Sequence, residues 1–108
     1  MISAPPLTLN RKQRLVTVEN TTPPCTVELT KGETTVLAHL MTQPGQVLSC
    51  EALVRKGWGY EVDEFEAQSI IRPHIRRLRQ KLETNPKDPR LICTVRRHGY
   101  CLNAAEAA

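Results

Sequence analysis

Between Ile71 and Leu82 the chain reads I-R-P-H-I-R-R-L-R-Q-K-L, and no other stretch constrains the fold as much. At 100° per residue Ile71, Ile75, Leu78 and Leu82 fall on one narrow stripe, so the segment is a helix with one face committed to a core. The opposite face carries Pro73, Arg76, Arg77 and Gln80, with Arg72 and Arg79 on one flank and His74 and Lys81 on the other. Ile75 to Lys81 holds four cations and no acid. A solvated helix normally mixes signs to gain pairs at four-residue spacing. An unmixed basic face repels itself unless a polyanion supplies the missing charge. Pro73 would cost ~3 kcal/mol in a helix interior, which predicts a late helix start near Ser69 or Ile70, or a bend at the proline.

The rest of the chain builds a setting for this helix. Residues 1–6 read as a disordered lead-in. L-T-L (Leu7 to Leu9), L-V-T-V (Leu15 to Val18) and C-T-V-E-L (Cys25 to Leu29) have strand texture and predict an antiparallel mini-sheet with one buried face. N-R-K-Q-R and N-T-T-P-P separate them as turns. T-K-G-E from Thr30 has the capping-box form, followed at helical spacing by Val36, Leu37, Leu40 and Met41. Pro44-Gly45 ends that helix. Ser49 caps a second one, Cys50 to about Lys56, and G-W-G-Y (Gly57 to Tyr60) opens an acidic loop in which Glu61 to Glu66 carries four acids and no base. After the basic helix, Leu91 to Arg96 is a strand, Arg97 to Gly99 a tight turn with His98 at its tip, and Tyr100 to Leu102 the returning strand. Sheet, helix, helix, basic helix and basic-tipped hairpin make an α+β winged helix-turn-helix. That plan puts the third helix in a DNA major groove and the hairpin at a neighbouring minor groove or phosphate strand.

Size and composition agree. The 108 residues are 40% hydrophobic, enough for one domain over residues 7–102 with a modest core; residues 103–108 read as a flexible tail. Fifteen Lys and Arg against eleven Asp and Glu give a formal charge of +4, a small excess whose segregation says more than its size. Cys25, Cys50, Cys93 and Cys101 form no C-x-x-C pair and His39, His74 and His98 are scattered, so no metal or other cofactor is expected and the cysteines read as small packed hydrophobes. The polar, proline-broken first residues predict no signal peptide and no run nears the ~20 apolar residues of a membrane span; a cytoplasmic, nucleoid-associated protein with reduced thiols is expected. Nothing supports an enzyme: no nucleophile elbow, phosphate-binding glycine loop or metal-ligand pair occurs.

From Leu29 to Leu102 the chain resembles the C-terminal DNA-binding domain of the OmpR/PhoB family of bacterial response regulators. The resemblance is carried by L-T-K-G-E-x-x-V-L-x-x-L (Leu29 to Leu40), P-G-Q-V-L-S (Pro44 to Ser49), W-G-Y (Trp58 to Tyr60), H-I-R-R-L-R-Q-K-L (His74 to Leu82), N-P-K-D-P-R-L-I (Asn85 to Ile92) and T-V-R-x-x-G-Y (Thr94 to Tyr100). It implies that Arg77 and the Pro73 position touch base edges, and that His74, Arg76 and Arg79 touch phosphates. It further implies that Thr94 and Tyr100 contact the backbone around the wing, that Arg96 enters or borders the minor groove, and that Trp58 approaches the backbone. It implies tandem homodimers on direct repeats, a contact of loop 59–68 with RNA polymerase, and a phospho-accepting receiver domain elsewhere in a longer chain, whose acidic pocket this sequence lacks. Three departures stand out. Pro73 replaces an aliphatic base reader, Arg97 stands where glycine is common, and the acidic loop is about two residues longer.

Read from the residues alone, Arg76, Arg77, Gln80 and Pro73 form the base-reading face, since arginine pairs bidentately with guanine O6 and N7. Arg72, Arg97 and His98 join the phosphate and wing set. The plain alternatives are a solvated face for the arginines, a core or loop anchor for Trp58, a structural role for His74, a β-former at Thr94 and simple packing for Tyr100. Two rival functions stay open: a winged helix that docks on RNA polymerase or another regulator, and a non-specific basic nucleic-acid binder.

Overall fold

The computed structural model describes residues 1–20 and 22–103. Four short strands, β1 (Ile2–Ala4), β2 (Leu7–Asn10), β3 (Leu15–Val18) and β4 (Cys25–Glu28), pair antiparallel in chain order. Alternation decides the faces: Leu7, Leu9, Val16 and Val18 are buried, while the Thr17 and Thr26 hydroxyls meet 3.0 Å apart on the outer side. The expected lead-in is corrected here. Residues 2–4 are a strand whose Ile2 and Ala4 sit opposite Leu9 and Leu7, and a three-residue strand has too little period to show before its partner is known. Cys25 is exposed on β4, so it is not a packed hydrophobe. The turn expected at 20–24 includes Thr21, outside the described residues.

Helix α1 (Lys31–Thr42) forms the capping box in full: the Glu33 N–H donates to Thr30 Oγ1 at 3.2 Å and the Thr30 N–H to Glu33 Oε1 at 3.0 Å. Its Val36, Leu37, Leu40 and Met41 are buried. Ser49 caps α2 (Cys50–Trp58) by accepting the Ala52 N–H. This helix runs to Trp58 rather than Lys56. Gly57 stays helical, and Gly59, at φ +82°, turns the chain left-handed so that its N–H reaches the carbonyls of Val54 and Arg55.

Helix α3 spans Glu64–Leu82, which corrects the late start. Asp63 accepts the Glu66 N–H at 2.8 Å, Glu64 and Glu66 place negative charge on the positive end of the helix, and Ala67 and Ile71 are fully buried upstream of the proline. Capping and burial therefore carry the helix through Pro73, which only withholds one hydrogen bond from the Ser69 carbonyl. Glu64 to Gln68 are helix, so the loop expected at 59–68 is only 59–63.

Strands β5 (Ile92–Val95) and β6 (Gly99–Leu102) form the hairpin. Its inner edge pairs with the α1–α2 connection, Leu48 and Tyr100 exchanging two hydrogen bonds of 2.8 and 3.0 Å. Gly99 is required there: a Cβ would stand 2.1 Å from the Leu48 carbonyl oxygen, at φ +139°. Asn103 is not a free tail residue, for its N–H bonds Leu91 O and its amide bonds Arg90 O; the remaining tail, 104–108, lies outside the described residues. Among the described residues no helix is long and apolar enough to cross a membrane.

Candidate nucleic-acid interface

The stripe of Ile71, Ile75, Leu78 and Leu82 is buried, which turns the rest of α3 outward. Arg72, Pro73, Arg76, Arg77 and Gln80 are exposed and line one wall of an open groove of about 1220 Å³. Thr94 and the Asn85–Lys87 loop form other parts of its wall. No hydrogen bond or ion pair engages the guanidinium groups of Arg72, Arg76 and Arg77 among the described residues. They project as free cations.

One expected contact, Arg79, and one flanking cation of the basic helix, Lys81, have partners inside the protein. The Arg79 guanidinium donates to Ile92 O at 3.2 and 3.0 Å and to Thr94 Oγ1 at 2.7 Å. It also sits 5.7 Å from the Tyr100 ring centroid, a cation–π distance. Arg79, Thr94 and Tyr100 are thus brought together, and Arg79 ties α3 to the hairpin instead of standing free for a phosphate. Thr94 stays exposed, and a hydroxyl that accepts from Arg79 keeps its own proton to donate outward. Lys81 Nζ lies 2.6 Å from Glu33 Oε1 and 3.2 Å from Glu28 O. Glu33 is fully buried. Burial pushes its carboxyl up, but hydrogen bonds from Lys81 and the Thr30 backbone, with the charges of Lys81 and Arg77, outweigh it and hold the group below the usual carboxylate value.

His74 faces the interior flank. Its ring stacks on Trp58, centroids 5.6 Å apart, and lies so close to α1 that a Cβ on Gly32 would come within 2.4 Å. Burial, helped by the Arg77 charge and opposed by Glu33, lowers its pKa. A half-buried neutral imidazole is a poor phosphate clamp, so the structural role is the one its surroundings favour. Trp58 is half-buried by the same stack, an anchor between α2 and α3.

At the tip of the hairpin Arg96, Arg97 and His98 are all exposed. Arg97 adopts φ +69°, the left-handed conformation that glycine takes without strain. Glu83 gave no signal in the sequence. As the last cap of α3 it accepts the backbone N–H groups of Arg90, Leu91 and Ile92 at 2.8 to 3.1 Å, locking the start of β5 to the end of the helix. Among the described residues no group of three or more His, Cys, Asp and Glu side chains is placed to hold a metal ion.

This arrangement of a helix, groove and hairpin defines a winged-helix domain of transcriptional regulators. A family model described as "Transcriptional regulatory protein, C terminal" matches residues 24–102, and the chain belongs to that family. It is 46% identical over 76 residues to the DNA-binding dual master transcriptional regulator RpaA of Synechocystis sp., covering 70% of this chain and 31% of RpaA. It is 38% identical over 77 residues to a probable transcriptional regulator, ycf27, of Cyanidium caldarium. The chain therefore spans about a third of the length of these relatives. Among solved structures it is similar to the RstA DNA-binding domain of Klebsiella pneumoniae in complex with the RstA box, with TM-score 0.78, 31% identity and coverage of 95% of this chain and 96% of that one. It is also similar to the DNA-binding domain of CpxR from E. coli, with TM-score 0.70, 33% identity and coverage of 97% and 96%. These are OmpR/PhoB-type response-regulator domains, as the motifs implied.

Proposed function

We propose that this chain binds double-stranded DNA sequence-specifically as the effector domain of a response regulator, with α3 in the major groove and the β5–β6 wing at the minor groove. One observation carries the reading: three free arginines, Arg72, Arg76 and Arg77, share a groove wall with Pro73 and Gln80, next to a wing tipped by Arg96, Arg97 and His98. Arg77 at the centre reads a base edge, with Pro73, Arg76 and Gln80 beside it. Arg72, Arg76 and the wing residues hold phosphates, and Thr94 donates its free proton to the backbone. Arg79, Tyr100, Trp58 and His74 hold these groups in place. Tandem homodimers on direct repeats belong to the same proposal, as does a receiver domain in a longer chain, which the relatives' roughly threefold greater length supports. Cytoplasmic, nucleoid-associated residence follows from it. A polymerase contact rests on one further observation. Phe65 is 83% exposed among Glu61, Asp63, Glu64 and Glu66, a composition that suits a basic protein surface.

The test is selection of bound sequences from random duplexes, then titration of variants on the winning site. Arg77→Ala should cost ~1–3 kcal/mol and relax one base position, whereas Arg76→Ala should weaken all sequences alike and flatten the salt slope by about one. Unchanged duplex affinity in both variants, or a preference for single strands, sinks the reading.

A further inference from the structure

Cys93 and Cys101, eight residues apart in the chain, stand directly opposite each other on β5 and β6. The Asn103 N–H donates to Leu91 O across the hairpin, and Tyr100 spends both its N–H and its C=O on Leu48. Pairing alternates along an antiparallel ladder, so 93/101 falls at a hydrogen-bonded rung and Thr94/Tyr100 at the next, non-bonded one. Cα atoms at a hydrogen-bonded rung lie about 5.5 Å apart, inside the roughly 4.4–6.8 Å window for a disulfide. Both thiols are free and half-buried, on the face opposite the buried Ile92, Tyr100 and Leu102. The Cys93 thiol donates to Arg90 O at 4.0 Å, and Cys101 is near enough to bear on its titration. Cys50 is buried elsewhere and Cys25 lies on the N-terminal sheet.

We infer that Cys93 and Cys101 form a dithiol site in the wing, which a low-molecular-weight disulfide such as oxidised glutathione converts to a cross-strand disulfide that weakens DNA binding. One cysteine, deprotonated, attacks a sulfur of the oxidant and releases one glutathione thiolate, leaving a mixed disulfide. The second cysteine's thiolate attacks the protein sulfur of that mixed disulfide and expels the other glutathione. Two electrons pass from the protein to the oxidant, and the two thiol protons end on two glutathione molecules. Burial, with the neighbouring Cys101, raises the Cys93 pKa, so closure should quicken as pH rises.

Closure has a mechanical consequence. Cβ atoms at directly opposite positions lie about 4.5–5.5 Å apart, whereas a disulfide needs about 3.8 Å. The strands must draw together one rung from Thr94 and Tyr100, where Arg79 ties the hairpin to α3. Thr94 and the Arg96 tip then shift relative to the recognition helix. Displacing one charge-assisted contact corresponds to about tenfold in affinity.

The effect on DNA rests on the function proposed above; formation of the bond does not. The 108-residue chain is equilibrated in glutathione buffers from fully reduced to fully oxidised, then quenched, alkylated and mapped by mass. The expected product is one intramolecular Cys93–Cys101 bond, reversed by dithiothreitol. It should persist in the Cys25→Ser/Cys50→Ser variant, and Cys101→Ser should stop at a glutathione adduct on Cys93. Absence of that bond, or exclusive pairing through Cys25 or Cys50, overturns the site. Duplex affinity is then compared in the two states. A loss of about tenfold in the oxidised protein, absent in Cys93→Ser/Cys101→Ser, supports the inference. Equal affinity in both states overturns control by the bond, and failure of the reduced protein to bind any duplex overturns the DNA reading while the mapping still judges the dithiol.

Discussion

The basic segment of α3 contains two sets of cations that the sequence does not distinguish. Arg72, Arg76 and Arg77 project into the groove with no hydrogen-bond or ion-pair partner among the described residues. Arg79 and Lys81, a turn further on, are occupied: Arg79 by Ile92 and Thr94, Lys81 by Glu33 and Glu28. The difference lies in what the fold brings near each side chain. The occupied pair fixes the helix against α1 and the wing, and this holds the free set in one orientation for a rigid polyanion. A cation used inside the protein is lost as a direct contact but gains a role in aiming the others.

Removing Lys81 should have the largest effect on stability. Lys81→Met strands the buried Glu33 carboxylate, and breaking a buried pair from one side costs about 3–5 kcal/mol. The part-exposed lysine side chain puts the expectation at the lower end, read as a drop in the urea midpoint. The salt slope of DNA binding should stay unchanged, and a flattened slope would break the comparison by making Lys81 a phosphate contact. Arg79→Ala comes next. It loses hydrogen bonds to one carbonyl and one hydroxyl together with a cation–π contact, about 1–3 kcal/mol, and should loosen amide exchange in β5. Its DNA affinity should fall through the wing's geometry with the slope intact; a slope reduced by one would place Arg79 among the free cations after all.

The smallest effect sharpens the boundary between the sets. His74 sits beside Arg77, and its folded-state pKa is lowered, so the unfolded chain takes the proton more readily. Stability from this group is then present above about pH 6.5 and is lost as pH falls from there toward the folded value. His39, lowered by burial and by Lys56 and Arg11, acts in the same direction. Urea titrations between pH 7 and 5 should show this slope, and His74→Gln should remove part of it. An unaltered slope in the variant would mean that His74 already shares a charged surface with Arg77.

Much of the fold was legible. The α3 stripe, the Thr30–Glu33 box, the Ser49 cap and the hairpin are local patterns, each set by residues within a turn or two of one another. What escaped was non-local or outweighed. β1 exists because Leu7 and Leu9 offer it partners. The early start of α3 is hidden in the sequence because the Pro73 penalty is local, whereas the burial of Ala67 that offsets it together with the Asp63 cap is set by packing. The site divided the same way. The outward face of Pro73, Arg76, Arg77 and Gln80 followed from helical period alone, but the partners of Arg79 and Lys81 lie 13 to 53 residues away. The facing of Cys93 and Cys101 needed the hairpin register.

The Glu83 carboxylate, holding three successive amides that lead into the wing's first strand, bears on how such a domain can be re-engineered. Exchanging the recognition helix alone, to borrow another regulator's target, would separate that helix from the bracket that sets the wing's distance from it. The transferable cassette runs from the cap at Asp63 to Asn103, and a graft that stops at Leu82 should read its new bases with the wing out of step along the duplex.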